Sequence, residues 1–475
     1  MKRIISRLLV PLIWGGLHLV TAQRSQGATP SEDRSKSQID HVGFAELSPI
    51  PVWQEYQRRV QCVRQTPGLA AFWDFVQRED GPNGSGNFLA LTAQGDEHRY
   101  LLEPHNVSLD YWRDGAKATL ADFPLLGRGP FGQAIQFHAP KAQNDLPVLE
   151  VPRAVLQDTP LDVKGPGKSV SMIVWLIYQD GEHAVAGIWH EGTDSPPKDI
   201  PAVIRERGQR QFGMFAGLTA HPGAVGAHVS ENGLASFGGI YAGHMAVTPE
   251  KMHPTKLDAT PGELDASWSV AGFVYDNEQK TVTAYLNGVA TDCWIENPGT
   301  RPFYKNVERA WRQAKLAKIP SLQAGADTNF PPDQFYEPPE NNPISVVVES
   351  ESPQTRTELR TYQFTKVRTI LHKNNQGAFT EVVTTDLVAL KANPYWFGHD
   401  IYAPRTPSEG GPFTIGRVIH SNRHPTLSAY FGGVAVYDRA LSADEMQKLS
   451  RIGRNEKKTT DIKILTLADI LKPSQ

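Results

Sequence analysis

Residues 431–449 read Phe-Gly-Gly-Val-Ala-Val-Tyr-Asp-Arg-Ala-Leu-Ser-Ala-Asp-Glu-Met-Gln-Lys-Leu, which predicts a strand, a tight turn and a short helix. Val434 and Val436 alternate with smaller residues, as on a half-buried strand. Ser442 stands three residues before Glu445, which is the spacing of a helix capping box. The helix that begins there carries one apolar stripe, so it can lie on a sheet.

Further segments predict the strands around this one. Gly129–Phe137 has a Phe-Gly turn before alternating apolar residues, and Leu69–Phe75 reads as an apolar strand. Trp268–Asp276 and Thr281–Gly288 read as a hairpin whose second strand ends in Asn-Gly. Together with the C-terminal segment, they resemble the laminin-G-like jelly rolls of the concanavalin A-like lectin/glucanase superfamily. The resemblance implies an all-β antiparallel sandwich with short helices and a long insertion.

The resemblance leaves the function open, because this superfamily carries lectins, adhesion modules, hydrolases and lyases on one scaffold. The preferred expectation is a secreted module that binds a glycan or another extracellular partner without catalysis. Two alternatives are a polysaccharide-cleaving enzyme (glycoside hydrolase or lyase) and a structural or adhesion module without a small-ligand site. An acidic pair about 5–9 Å apart in a cleft would favour the hydrolase.

The first residues predict an exported protein. Lys2 and Arg3 begin a basic segment, Leu8–Val20 is apolar, and Ala22 ends a small-residue cleavage motif. Residues 1–22 are therefore expected to be a signal peptide, which places the protein outside the cell or in the periplasm; an uncleaved membrane anchor is the alternative. The net charge of -3 comes without a basic block, so nucleic-acid binding has no support.

One large sandwich with extensions is the expected organisation. The expected bounds are 23–66 for an N-terminal extension with one helix (Pro51–Gln65), 67–455 for the sandwich, about 297–395 for its insertion and 456–475 for a C-terminal extension. The first part of the insertion, 297–355, is proline-rich and predicts an irregular surface segment. Residues 358–390 predict an extra hairpin.

The sandwich core is expected from the strongest strand patterns. Ser169–Tyr178 is the strongest of these, and Ala184–Trp189 is expected to be its hairpin partner across the turn at Asp180. Gln211–Leu218 predicts another strand. The side chains expected to lie on strands and mostly in the core are Trp175, Trp189, Phe212, Trp268, Phe273, Tyr285 and Val436.

Three segments combine aromatic and short polar side chains, which is the mixture that sugar binding requires. In the first, His228, Ser230 and Asn232 alternate, so on a strand they would share one polar, solvent-facing side. An ordinary exposed strand is the alternative. The second segment is Asn393–Asp400, whose aromatic residues could instead anchor the insertion to the core. The third is Trp189–Glu191, which includes His190 and for which a plain hairpin end is the alternative. The remaining ligand-binding candidates are Glu191, Tyr395, Trp396, His399 and Asp400.

The sequence patterns for glycoside cleavage and for calcium binding are weaker. The glucanases of the superfamily place carboxylates in an E-x-D-x-E strand; Glu263 and Asp265 fit, but position 267 is Ser. The resemblance also implies structural calcium, with Asp74 and Asp438 in matching places.

The two cysteines allow two readings. In an oxidising compartment Cys62 and Cys293 could form one disulfide that ties the N-terminal extension to the central hairpin, and the alternative is two unpaired buried thiols.

Overall fold

The structure, a computed structural model, describes residues 50–80, 86–112, 115–140, 142, 144–191, 208–217, 221–233, 245–256, 258–301, 304–316, 336–419 and 427–454. The predicted signal peptide, residues 23–49 and the C-terminal extension lie outside these ranges. Within them the fold is an all-β antiparallel sandwich of two sheets, as expected from the sequence. The described part contains no helix long and apolar enough to cross a membrane.

The described strands form two sheets, and short helices lie between them in sequence. The first sheet comprises β1 (Leu69–Trp73), β5 (Ile135–Phe137), β7 (Val170–Asp180), β12 (Ser269–Asp276), β13 (Thr281–Leu286), β14 (Cys293–Glu296), β15 (Ser345–Glu351), β16 (Thr355–Thr361), β17 (Thr365–Lys373), β18 (Phe379–Asn393), β19 (Tyr395–Trp396) and β21 (Ser428–Tyr437). The second comprises β2 (Arg78–Glu79), β3 (Asn87–Leu89), β4 (Leu101–Asn106), β6 (Pro147–Val151), β8 (Ala184–His190), β9 (Gln209–Ala216), β10 (Ala224–Val229), β11 (Met245–Lys251) and β20 (Phe413–Ile415). The α-helices are α1 (Ile50–Arg64), α2 (Val107–Trp112), α3 (Arg153–Leu156), α4 (Pro261–Ala266), α5 (Lys305–Leu316) and α6 (Ala443–Ser450).

The core lies between the two sheets. Trp73 of the first sheet stacks on Phe413 of the second, with ring centroids 5.1 Å apart, and Phe212 of the second sheet meets Phe273 of the first at 6.4 Å. The expected core residues (Trp175, Trp189, Phe212, Trp268, Phe273, Tyr285 and Val436) are all buried. Trp268 immediately precedes β12, and the other six lie on strands.

The C-terminal segment folds as predicted. Strand β21 lies between β1 and β7 and pairs antiparallel with both. The Ser442 hydroxyl accepts a hydrogen bond from the Glu445 amide at 3.2 Å, which completes the capping box of α6. Met446 of α6 and Val63 of α1 belong to a second apolar cluster, which covers the other face of the first sheet around Trp175.

One predicted pairing is wrong. Strands β7 and β8 are not hairpin partners, because β7 lies in the first sheet and β8 in the second. Gly181 and His183, with φ values of 79° and 117°, take left-handed backbone conformations between the strands. The connection therefore crosses from one sheet to the other instead of closing a hairpin.

The insertion also differs from the prediction. Where the structure describes the first part, it is not an irregular surface segment: α5 buries Val307, Ala310, Trp311 and Ala314 along one face, and the first three of these belong to the main core. Residues 317–335 lie outside the described ranges. The spacing of three and four residues is that of an amphipathic helix, which the surrounding prolines obscured. The predicted extra hairpin is confirmed as β17 and β18, and β15 and β16 extend it to four strands, here called the β-arm.

Candidate functional site

A row of residues crosses the face of the second sheet that is turned away from the core. Leu149 and Val151 point into the core, so Glu150 between them points away from it. Strand pairing places the following residues side by side across six strands: Glu103, Glu150, Thr414, Gly187, Gly213 and His228. Glu150 and His228 are four strand spacings apart, or about 19 Å. The two ends of this row are therefore too far apart to form one binding site.

The end at His228 is closed and packed. The His228 ring lies 5.2 Å from the Trp189 ring and 5.0 Å from the Phe215 ring, and all three side chains are buried. Arg210 lies over Trp189 at 5.5 Å and forms an ion pair with Glu191 at 3.3 Å. The expectation that His228 meets solvent is therefore wrong, because its side chain is buried against the rings of Trp189 and Phe215.

Ser230 and Asn232 do not continue the alternation of the strand. Strand β10 ends at Val229, and Ser230 begins a turn in which its hydroxyl accepts a hydrogen bond from the Gly233 amide at 2.9 Å. The Ser230 carbonyl accepts a second bond, from the Tyr402 amide at 2.7 Å. Ser230 is buried and Asn232 half-buried. Ser230 therefore closes a turn and fastens it to the segment that follows Asp400.

His190 and Glu191 have different partners. The His190 Nδ1 lies 2.9 Å from the Gln209 amide oxygen, and its ring lies 4.9 Å from the Tyr111 ring. Burial lowers the pKa of His190 from 6.5 to about 4, so the ring is neutral at neutral pH. Glu191 instead accepts a hydrogen bond from the Trp189 indole at 3.1 Å. The two neighbours therefore form these side-chain hydrogen bonds with different partners, Gln209 and Trp189.

The other end of the row is a cluster of titratable groups that the sequence prediction missed. Glu103 lies directly opposite Glu150, and His105 lies 3.8 Å from Glu103 and 3.2 Å from Asp110. Glu103 and His105 are half-buried and Asp110 is exposed, whereas Glu150 is buried. Burial, with His105 opposing it, raises the pKa of Glu150 from 4.5 to about 7. We call these four residues the carboxylate cluster.

The segment from Tyr395 to Asp400 lies against the turn between β12 and β13. Tyr395 is buried and stacks on Tyr336 at 5.5 Å, so it is part of the core. Trp396, in contrast, is half-buried and pairs with Thr281. Of the residues predicted here, Tyr395 thus anchors the segment. Trp396 packs edge-on against Tyr336, with ring centroids 5.5 Å apart, and keeps part of its surface exposed.

Asp400 and His399 are held to the same turn. The Asp400 carboxylate accepts hydrogen bonds from the Asn277 amide at 2.7 Å and the Lys280 ammonium at 3.1 Å, and these partners lower its pKa. The His399 carbonyl accepts a bond from the Tyr275 hydroxyl. The half-buried residues Asn277, Lys280, Trp396, His399 and Asp400 are called the hairpin site.

The two aspartates proposed for calcium do not come together. Asp74 follows β1 and Asp438 follows β21, and because these strands are antiparallel the two residues lie at opposite ends of the pair, about 16 Å apart. Asp74 accepts hydrogen bonds from the amides of Val76 and Gln77 at 2.9 and 3.0 Å, so it closes a turn. They do not fit one calcium ion. Among the described residues, no group of three or more His, Cys, Asp or Glu is placed to hold a metal.

Two further sequence candidates receive structural roles. Glu263 and Asp265 lie on the helix α4 rather than on a strand; Glu263 completes the capping box with Thr260, and Asp265 pairs with Arg128 at 2.7 Å. The glucanase pattern is therefore wrong at this position. Cys62 is half-buried and Cys293 buried, and both are free thiols in the structure.

Comparison with known proteins adds the following. No protein-family profile and no curated protein matches this chain. The similar solved structures include the binding domain of Paraclostridial Mosquitocidal Protein 1 (9% identity, 81% of this chain and 52% of that chain, TM-score 0.32) and the botulinum neurotoxin serotype D binding domain (5% identity, 81% and 50%, TM-score 0.32). Trypanosoma rangeli sialidase in complex with sialic acid also matches (10% identity, 84% and 38%, TM-score 0.30). The chain spans about half the length of the two binding domains.

Proposed function

We propose that the protein is a secreted or periplasmic laminin-G-like module that binds a glycan at the hairpin site without cleaving it. The observation that carries the proposal is that a half-buried tryptophan and an ionised carboxylate, four residues apart, both lie against the turn between β12 and β13. Trp396 offers apolar ring surface to a sugar face, and Asp400 offers acceptor oxygens to sugar hydroxyls.

The electrostatics of the hairpin site suit hydroxyl recognition. Asn277 and Lys280 donate to one oxygen of Asp400, and a carboxylate has about four acceptor positions, so acceptor capacity remains. The same two donors fix the carboxylate in place before a ligand arrives. Asp400 therefore can accept sugar hydroxyl groups without rearrangement.

Glycan binding is tested with the variants Asp400→Asn and Trp396→Ala on a glycan array, followed by titration of the retained glycan. We expect each variant to weaken binding about 10-fold or more. Asp400→Asn removes the charge from a hydrogen-bond acceptor, and a hydrogen bond to a charged group contributes about 1.5–3 kcal/mol. Trp396→Ala removes the apolar ring surface that faces the sugar. Asp292→Asn is the matched control, since Asp292 is also an accessible aspartate paired with a lysine, Lys391, at 2.7 Å. Unchanged affinity in both hairpin-site variants would refute the assignment.

A second function, glycoside hydrolysis, is favoured by the carboxylate cluster. Glu103 and Glu150 are direct cross-strand neighbours with β-carbons about 4.5–5.5 Å apart, so their two flexible side chains can bring the carboxyl groups to the separation of about 5–5.5 Å that a retaining pair requires. Glu150, with a pKa of about 7, would donate the proton to the departing glycosidic oxygen, and Glu103 would attack the anomeric carbon before water releases the sugar.

Hydrolysis is measured as reducing-end release from the glycan that the array identifies. Activity that falls about 100-fold or more in Glu150→Gln would establish this second function. No release by the unmodified protein would leave the binding function and exclude the hydrolase.

A further inference from the structure

The β-arm carries an apolar strand at the free edge of the first sheet. The order of paired strands in this sheet ends at β15, so one side of β15 has no partner among the described strands. All seven residues of β15 are exposed. An exposed, apolar edge strand presents backbone donors and acceptors to any other strand of suitable shape.

Aliphatic side chains concentrate on this arm. Ten large hydrophobic side chains are exposed in the described part of the chain, and six of them belong to the β-arm or directly precede it: Ile344, Val346, Val347, Val348, Val382 and Val383. Such a concentration on one element is typical of an interaction surface rather than of ordinary exposed residues.

The usual protection of an edge strand is weak here. Ser345–Glu351 contains neither lysine nor proline, which commonly block edges. Its two glutamates already have partners within the arm: Glu349 pairs with Arg368 at 2.6 Å, and Glu351 pairs with Arg356 at 2.8 Å. Their charges therefore oppose the approach of another strand only weakly.

We propose that β15 pairs antiparallel with β15 of a second copy of this chain, which joins the two first sheets into one continuous sheet. A register centred on Val347 places Val346 of each copy opposite Val348 of the other, and Ser345 opposite Glu349. No two like charges then lie directly opposite each other. Val346 and Val348 of both copies share one face of the joined sheet, and the two Val347 side chains meet on the other face. This self-complementarity favours a second copy over an unrelated strand.

The test is the oligomeric state of the full chain, measured by sedimentation velocity over a range of protein concentrations. The unmodified protein should form a dimer at micromolar concentration. Val347→Lys places two ammonium groups opposite each other and should raise the dissociation constant at least about 100-fold. Val289→Lys is the matched control: Val289 and Val347 are equally exposed, at 55%, but Val289 lies outside the β-arm. It should leave the dimer intact.

Three results would overturn the proposal. These are a monomeric unmodified protein at the highest soluble concentration, a dimer that persists in Val347→Lys, and a dimer lost equally in the Val289→Lys control. Hydrogen exchange provides an independent readout, because the backbone amides of residues 345–349 should exchange more slowly as the protein concentration rises. Exchange that does not depend on concentration would also count against pairing of β15.

Discussion

Replacing Glu150 with glutamine should change how the stability of the protein depends on pH. Burial raises the pKa of Glu150 from 4.5 to about 7, and the nearby His105 opposes this rise only in part. The folded protein therefore binds this proton more tightly than the unfolded chain does. The resulting stability is fully present below pH 4.5 and is lost as the pH rises through about 7.

The magnitude follows from the two pKa values. With 4.5 in the unfolded chain and about 7 in the folded protein, ionisation of Glu150 lowers the free energy of unfolding by about 2.5 kcal/mol between pH 5 and pH 8. A glutamine side chain at this position does not titrate. The free energy of unfolding of Glu150→Gln, minus that of the unmodified protein, should therefore increase by about 2.5 kcal/mol over this range.

Urea denaturation at pH 5, 6, 7 and 8 measures this difference. Comparison with the unmodified protein is essential, because His190 has the opposite effect. Its pKa is lowered to about 4, so its contribution to the stability of the protein is lost as the pH falls below 6.5. Its contribution cancels in the difference. Glu250→Gln is the control, since Glu250 is an exposed glutamate on β11 of the same sheet. A difference for Glu150→Gln that stays constant within about 0.5 kcal/mol would refute the account of this residue.

The remaining predictions concern the core and one helix end. Trp268→Ala should lower the free energy of unfolding by about 3–5 kcal/mol, because the ring is buried against Gly432; an unchanged thermal melt would argue against this packing. Trp311→Ala should lower the free energy of unfolding by a similar amount, about 3–5 kcal/mol. Deletion of residues 300–350 removes the same buried ring and should also destabilise the sandwich, contrary to what the proline content suggests. Thermal unfolding followed by circular dichroism measures both effects. Ser442→Ala should cost about 1 kcal/mol through loss of the helix cap, and rescue by Ser442→Asp would separate the cap from other causes.

Individual elements of the fold could be predicted where the local sequence pattern alone determines the structure. The alternation in β21, the capping box of α6 and the hairpin of β12 and β13 are all local, and the structure confirms them. The partner of β8 could not be predicted, because the choice between a hairpin and a crossover depends on two left-handed residues in the connection. The sequence shows Gly181 there, but not the conformation of His183.

The candidate site was less predictable for a related reason. The alternation of polar residues along the sequence predicted that His228 faces solvent. Its burial depends on the rings of Trp189 and Phe215, which come from two other strands. Glu150 did leave a signal, since it is a lone glutamate within the apolar strand Pro147–Val151. Its relation to Glu103 nevertheless depends on strand register, which no local pattern reveals.

The position of β21 has a consequence for the order of folding during synthesis. This strand lies near the end of the chain, yet it pairs with β1, near the beginning, and with β7, at the centre of the first sheet. A ribosome-bound chain that stops before Ser428 leaves β1 without its neighbour and β7 with one free side. The first sheet can therefore be completed only after residues 428–437 have emerged, and such distant pairing also slows folding. Until then the unpaired edges of its apolar strands stay exposed, which favours aggregation.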